Sequence, residues 1–205
     1  MHLNLVRFSD FGTISRYSAL FGEDAVIVAG PGPAAGHVKG PALASSPGII
    51  PCSILEGPGS AVPRKSADKG FVVAVRGSSP ESCAWAANSK GVDLLLQPFS
   101  TEKCFLDIQT ANVLRDRAVF VGVLFSDFLE SDGFRQAQLF KNAAMCVKLC
   151  ASAGTKILLL SGARSWQQMR ASKDLSSFGV MLGMGKEDAL RAVRGNAEEF
   201  AGRFT

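Results

Sequence analysis

The sequence predicts an α/β protein built on a mostly parallel sheet. Short, continuous apolar runs recur along its 205 residues, and each is followed by a turn signal and then by a helical pattern. Strands that are apolar at every position are typical of parallel sheets covered by helices. The seven such runs fit either an open doubly wound sheet or a closed barrel. The chain is at the short end for an eight-unit barrel, which typically has about 250 residues.

The predicted strands and helices alternate along most of the chain. The strands are expected at residues 3–6, 25–29, 49–55, 71–76, 92–97, 118–125 and 155–161. The helices are expected at residues 13–22, 80–90, 101–114, 133–153, 166–171, 174–182 and 186–204. Apolar residues in the helical segments recur three or four positions apart, as Ile14, Tyr17 and Phe21 do, which places them on one face.

An irregular segment at about residues 30–70 interrupts this alternation. It holds seven of the nine prolines and many of the glycines. A disordered linker, a long loop or short strands with irregular connections would each suit this composition. The apolar run at 49–55 argues against plain disorder. No domain boundary or internal repeat is visible, so residues 1–205 are predicted to form a single domain.

Charge and hydropathy limit the partners. The chain is 47% hydrophobic, and its net charge of +4 permits a nucleic-acid partner without requiring one. The amino terminus lacks the pattern of a signal peptide, and no apolar run reaches membrane-spanning length. We therefore expect a cytoplasmic protein without a membrane partner.

Independent enzyme chemistry finds little support in the sequence. The two histidines, His2 and His37, share no spacing of metal ligands. The glycines after the second predicted strand have the wrong spacing for a dinucleotide motif, and the prolines among them remove backbone donors. None of the five cysteines forms a CxxC pair; Cys146 and Cys150 lie one helical turn apart, so buried free thiols are expected.

The richest polar stretch follows the last predicted strand. Ligand contacts in parallel α/β folds gather at the carboxyl ends of strands, and Arg164, Arg170 and Lys173 lie just beyond that end. Guanidinium groups suit bidentate contacts with phosphate. Asp174 is expected to cap the next helix and to pair with Arg170, four residues earlier. Arg170 could serve both that pair and a contact with phosphate or a partner protein.

This stretch also carries a resemblance. The residues that carry it are, in chain order, Ser161, Gly162, Ala163, Arg170, Ser172, Lys173, Asp174, Phe178, Gly179, Leu182 and Gly183. The order resembles the carboxy-terminal signature of ribonuclease P protein component 3, the archaeal and eukaryotic subunit with a TIM-barrel-like fold. Segments at 2–6, 73–77, 91–98 and 128–142 resemble earlier parts of the same family. The family's Arg-x-Pro-Arg-Asp pattern reads Arg170-Ala-Ser-Lys-Asp174 here.

The resemblance implies a TIM-barrel-like (β/α) barrel, somewhat short or irregular, inside a ribonucleoprotein that removes the 5′ leader of precursor tRNA. The catalyst would be RNA, so the polypeptide would hold no catalytic residue, metal or cofactor, and Mg²⁺ would serve the RNA of the holoenzyme. Expected partners are the RNase P RNA, protein component 2 in a heterodimer or heterotetramer, other RNase P protein subunits and, indirectly, precursor tRNA. Candidate contacts with RNA or partner are Arg170, Lys173, Asp174, Arg164, Arg76, Arg135, Lys141 and Lys186.

Two other hypotheses place a ligand on the barrel itself. A barrel phosphoesterase would have to build a metal site from His2, Asp93 and Asp174. A barrel that binds a small phosphorylated metabolite would hold it near residues 161–163. The missing histidines and carboxylate clusters weigh against the first of these.

Overall fold

Seven parallel strands form a sheet that nearly closes on itself. The computed structural model describes residues 3–7, 10–21, 23–30, 48–63 and 70–204. The strands are β1 Leu3–Val6, β2 Ala25–Gly30, β3 Gly48–Leu55, β4 Val72–Arg76, β5 Leu94–Leu96, β6 Phe120–Leu124 and β7 Ile157–Leu160. Each pairs in parallel with the next in chain order. A single parallel bridge between Val6 and Ala163 joins the two ends of the sheet, so the barrel prediction is confirmed.

Helices cover the outside of this barrel. They are α1 Phe11–Phe21, α2 Pro80–Asn88, α3 Ile108–Asp116, α4 Ser126–Leu129, α5 Gly133–Ala153, α6 Ser172–Met181, α7 Lys186–Val193 and α8 Gly195–Ala201. A short 3₁₀ turn at Trp166–Gln168 precedes α6. The bounds of α5 match the prediction, because Gly154 ends that helix in the left-handed conformation at φ 74°.

Three predicted helices needed correction. The helix expected at 101–114 begins only at Ile108, because Asp107 caps it by accepting a bond from the Thr110 amide at 2.7 Å. The helix expected at 186–204 is divided into α7 and α8 at Arg194. The helix expected at 166–171 is only the 3₁₀ turn, and α4 was not predicted at all.

Alternation along the strands gives the molecule two apolar layers. Leu94 and Leu96 point into the barrel, where they pack with Leu5 and Phe120, while Leu95 packs outward among the helices. Phe200 of α8 packs edge-on against Phe120, with ring centroids 5.1 Å apart. Since Phe120 begins β6, α8 covers the amino-terminal end of the barrel and leaves the carboxyl ends of the strands as the opposite face.

The cysteines agree with the expectation of free thiols. All five are free, four are buried, and Cys104 is half-buried. Burial raises the pKa of Cys52 to about 12, so this thiol stays protonated at neutral pH.

The irregular segment is described in part. Residues 48–63 contain β3 and the turns after it, whereas 31–47 and 64–69, and with them His37, lie outside the described residues. The single-domain expectation stays a prediction. None of the described helices has both the length and the apolar character needed to cross a membrane.

Candidate functional site

The seam of the barrel is built by the first residues of the polar stretch. The Ser161 amide donates to Asn4 Oδ1 at 2.7 Å, and the Ser161 hydroxyl donates to the Leu5 carbonyl at 3.2 Å. The Arg7 amide donates to the Ala163 carbonyl at 2.6 Å. These bonds join β1 to the end of β7. Ser161 and Ala163 are fully buried, which argues against a metabolite site at residues 161–163.

Gly162 is required at the seam for two reasons. Its backbone φ of +62° is one that residues with a Cβ rarely adopt. A Cβ there would also lie 2.8 Å from Leu124 Cβ and 2.8 Å from Ser126 Oγ. The Ser-Gly-Ala run of the sequence is therefore explained by closure of the barrel.

An ion-pair network occupies the mouth of the barrel at the carboxyl ends of the strands. Arg7 follows β1, Arg76 ends β4, and Asp127 follows β6. Arg7 Nη2 lies 2.8 Å from Asp127 Oδ1, and Arg76 Nη2 lies 3.1 Å from Asp127 Oδ2. We call Arg7, Arg76 and Asp127 the mouth triad. One carboxylate thus holds two guanidinium groups side by side.

Neighbouring groups fix the triad. Arg7 also donates from Nε to the Gly162 carbonyl at 2.8 Å and from Nη2 to Ser126 Oγ at 2.7 Å. Gln97 donates to Asp127 Oδ2 at 3.1 Å. Gln97 has a φ of +49°, and left-handed conformations of residues other than glycine concentrate at functional sites.

Electrostatics keep the triad ionised. Burial by itself raises the pKa of Asp127, but hydrogen bonds from Gln97 and Arg7 and the charges of Arg7 and Arg76 outweigh it. The pKa of Asp127 therefore lies below its ordinary value. Two arginines and one aspartate leave one net positive charge at the mouth. Within the described residues, Arg7 Nη1 and both Nε and Nη1 of Arg76 keep unused donors.

A second polar group forms the rim beside the mouth. Arg164 Nη1 pairs with Glu130 Oε2 at 2.9 Å, and Gln168 Nε2 donates to Glu130 Oε1 at 3.2 Å. Arg170 donates to the carbonyls of Gln167 and Met169, both at 2.8 Å. Its guanidinium carbon lies 5.4 Å from the centre of the Phe125 ring, a cation–π contact. Arg164 and Arg170 are thereby held next to the mouth.

The expectation about Asp174 was wrong in its local details. Ala171 is the N-cap of α6, and Asp174 lies in the first turn without making a side-chain cap bond. The carbonyls named above take the guanidinium of Arg170, and within the described residues no ion pair joins it to Asp174. The exposed carboxylate still lies near a helix amino terminus, where negative charge is favourable.

The other candidate residues are dispersed. Lys173 is exposed in the first turn of α6, and Arg135 is exposed in the first turn of α5, which follows the carboxyl end of β6. Lys141 lies about two turns further along α5. Lys186 begins α7 next to Gly185, which lines a cavity shared with Gly154 at the amino-terminal end. The structure thus brings Arg76, Arg164 and Arg170 to one face and places Lys186 at the other.

The structure does not bring together Asp93 and Asp174, two of the metal ligands that the phosphoesterase hypothesis requires. Asp93 precedes β5 at the amino-terminal end, where its Oδ2 accepts from the Val73 amide at 2.9 Å, whereas Asp174 follows β7 at the carboxyl end. His2 lies outside the described residues. Across the part of the chain that is described, no three His, Cys, Asp or Glu side chains are grouped so as to hold a metal ion.

Sequence reasoning missed most of the mouth. Arg7 was not singled out, and Gln97 appeared only within the family pattern. Asp127 was not among the candidate residues. The sequence signal that could have found them was their place at or just after the end of a predicted strand: in the structure each of the three follows a strand end by one to three residues. Nothing local in the sequence joins residues that are 120 positions apart, as Arg7 and Asp127 are.

Comparison with solved structures places this barrel among known folds. The structure described as "cryo-EM structure of archaeal Ribonuclease P with mature tRNA" matches with a TM-score of 0.77 and 13% identity, covering 98% of this chain and 91% of that chain. A prolidase complexed with N-methylphosphonate-L-proline matches with a TM-score of 0.61, and an amidohydrolase with 0.62. Each is 12% identical, and each match covers 98% of this chain and 74% of that chain. At such identities these matches establish the fold alone.

Sequence comparison supplies the family. None of the curated proteins is similar enough to be matched to this chain. The family model described as RNase P subunit p30, in contrast, matches residues 58–201. That span includes Arg76, Gln97, Asp127 and the whole polar stretch, and it confirms the resemblance drawn from the signature residues. The chain belongs to the RNase P subunit p30 family, and its role is that of a protein subunit of ribonuclease P.

Proposed function

We propose that this subunit supports the catalytic RNA of ribonuclease P by contacting RNA through the carboxyl face of its barrel, while the polypeptide itself performs no catalysis. The mouth triad carries the proposal. Both oxygens of Asp127 are bonded to arginines, so this carboxylate serves as a counter-ion for cations of the protein. Mg²⁺ ions that promote phosphodiester cleavage would then be held by the RNA of the holoenzyme.

The rim supplies the surface for RNA in this proposal. Arg164 and Lys173 are exposed, and Arg170 is half-buried with its guanidinium fixed by backbone carbonyls. Immobilised guanidinium groups lose little freedom on binding, and they match the geometry of phosphate. Each phosphate contact would release counterions and make binding dependent on salt. Precursor tRNA would be reached indirectly, through the assembled RNA.

Partner proteins would bind beside the rim, at the start of α5. Family membership makes other RNase P subunits partners, and we propose component 2 as the immediate one, in a heterodimer or heterotetramer. Exposed apolar side chains near the start of α5 support a protein contact there. Phe134 is 78% exposed and Leu129 is 43% exposed, and exposed apolar surface of this kind often marks a protein–protein contact.

Cleavage of precursor tRNA tests the proposal. The cognate RNA and component 2 would be assayed at modest Mg²⁺ concentration with and without this chain. We expect the chain to raise the cleavage rate and Arg170→Ala to reduce that gain. Arg117→Ala is the matched control, because Arg117 is exposed at the amino-terminal end and its guanidinium donates to the Asn88 carbonyl, away from the rim.

The proposal fails if cleavage is unchanged by the chain and the chain does not bind component 2. The phosphoesterase hypothesis would then be tested on the purified protein through bound metal and turnover of a phosphoester. Turnover by the protein alone would contradict the non-catalytic role directly.

A further inference from the structure

An exposed tryptophan stands in the middle of the rim. Trp166 begins the 3₁₀ turn between Arg164 and Arg170, and 45% of its surface is exposed. Its ring stacks on Tyr17 of α1, with centroids 4.8 Å apart and planes inclined by only 12°. Since one face of the indole covers Tyr17, a ligand that stacks on this ring would have to use the opposite face.

The turn holds this ring in a defined position. The Gln168 amide donates to the Ser165 carbonyl at 3.1 Å, and the Met169 amide donates to the Trp166 carbonyl at 3.1 Å. The Arg164 amide donates to Gln168 Oε1 at 2.9 Å. Met169 is fully buried against α1 and anchors the end of the turn. The indole is therefore preorganised before any ligand arrives.

Packing explains the stack of Trp166 on Tyr17 but not the exposure of Trp166. The stack on Tyr17 joins α1 to the loop after β7, and any ring of that size would do so. A tryptophan used only for packing is usually well covered, because its large apolar area gains most from burial. Here nearly half of that area stays in water, at the face of the barrel where the charged residues gather.

The charges around the stack indicate the chemistry of its ligand. Arg16 lies with its guanidinium carbon 6.0 Å from the centre of the Tyr17 ring. Arg164 and Arg170 flank Trp166 in the chain, and both are held at the rim. An exposed aromatic ring with arginines on the same elements is typical of sites that bind single-stranded nucleic acid, where a base stacks on the ring and arginines contact phosphates.

We infer that Trp166, backed by Tyr17, is a stacking platform for one unpaired nucleobase of RNA. The inference rests on the proposed function, because it supplies the RNA surface with a specific contact. A base inside a duplex has both faces covered by its neighbours, so the ligand must be a base in a loop, bulge or single strand. Arg16 and Arg170 would contact the phosphates on either side of that base.

Tryptophan fluorescence tests the platform on the full chain. Trp85→Phe leaves Trp166 as the only tryptophan, since the chain has two. We expect a short single-stranded oligoadenylate to quench this fluorescence, and a duplex at the same phosphate concentration to leave it largely unchanged. Equal quenching by the two probes would overturn the inference, because phosphate contacts alone would then account for binding.

Substitution supplies the second measurement. Trp166→Ala should weaken binding of the oligoadenylate about 5- to 150-fold, the range expected for one stacked base, and Trp166→Phe should recover most of it. Thermal unfolding of both variants checks that the turn still folds. Unchanged affinity of a folded Trp166→Ala variant, or loss of component 2 binding with RNA binding intact, would overturn the platform and leave a packing or protein-docking role.

The two proposals fail in different ways. If Arg170→Ala still lowers precursor-tRNA cleavage while Trp166→Ala has no effect on RNA affinity, only the platform is wrong. If the chain neither binds the oligoadenylate nor stimulates cleavage, the proposed RNA contact itself is wrong.

Discussion

Residues 161–163 and residues 164–170 are neighbours in the chain but differ in almost every physical respect. The first three are buried, and their backbone and hydroxyl groups are bonded to β1. The next seven include exposed side chains, and their hydrogen bonds are mainly to one another: the Arg164 amide donates to Gln168, and Arg170 donates to the Gln167 carbonyl. A single short stretch thus closes the barrel and then displays its charged surface. The comparison teaches that a family signature can mark architecture and contact residues side by side.

Other glycines in the segments that resemble the family also serve packing, as Gly162 does. A Cβ on Gly179 would lie 2.6 Å from Leu159 Cδ1 and 3.0 Å from Ala189 Cβ, so any larger residue would have to displace side chains of β7 and α7. A Cβ on Gly77 would lie 2.6 Å from Pro98 Cα, so the close approach of these two segments requires glycine at position 77. The most recognisable residues therefore report packing, and the arginines between them are the candidates for contact with RNA.

Gly162→Ala should have the largest effect on stability. The new Cβ would meet Leu124 and Ser126 while the backbone keeps a strained φ, and we expect a loss of about 3 kcal/mol. Urea denaturation measures the free energy of unfolding. Gly183→Ala is the matched control, because Gly183 has a φ of +91° with nothing within 4 Å of a Cβ; it should lose only about 1 kcal/mol. Equal losses would show that the seam is not tightly packed.

Asp127→Asn should cost about 2 kcal/mol at pH 7, because it removes the charge that both arginines contact. The pKa of Asp127 is lowered in the folded state. Its contribution is therefore fully present above the unfolded-state pKa of about 3.9, and it is lost as the pH falls through the lower folded-state pKa.

The difference in unfolding free energy between wild type and Asp127→Asn should accordingly shrink as the solution is acidified. Denaturation curves at a series of pH values measure it. A difference that stays constant down to strong acid would mean that the mouth triad is held by packing alone. Asp188→Asn, at an exposed ion pair with Arg191, should change stability by less than about 0.5 kcal/mol at any pH.

Ser161→Ala should destabilise the protein by about 1 kcal/mol through loss of the hydroxyl bond to Leu5. RNA affinity of the folded variant should stay at the wild-type value, because the residue is fully buried. Chemical denaturation and RNA titration together separate the two quantities. Reduced RNA affinity in a fully folded variant would show that residue 161 does affect RNA binding.

Arg170→Ala should show the reverse pattern, with the smallest change in stability. Its bonds are to nearby carbonyls and to one aromatic ring, so we expect a loss of about 0.5 kcal/mol. The slope of log affinity for RNA against log salt concentration should become shallower by about one. An unchanged slope would show that Arg170 makes no phosphate contact.

The sequence allowed the scaffold to be predicted far better than the mouth. All seven strands were found, since continuous apolar runs bounded by turn residues have few alternatives. The helix at 101–114 was overextended because residues before Asp107 form an irregular loop, with Phe99 bridged to Cys104, which helical periodicity cannot reveal. Arg76 was selected for its charge, but its partner Asp127 is 51 positions away, and only folding brings them together.

The seam has a consequence for self-association. Apart from one bridge between Val6 and Ala163, the described bonds across it come mainly from Asn4 and Ser161. Parting β1 from β7 would create two sheet edges, one of them lined by the aliphatic run Ile157–Leu160. Unpaired edges of this kind pair readily with other chains. A buried asparagine and a buried serine thus help to keep these two edges joined to each other.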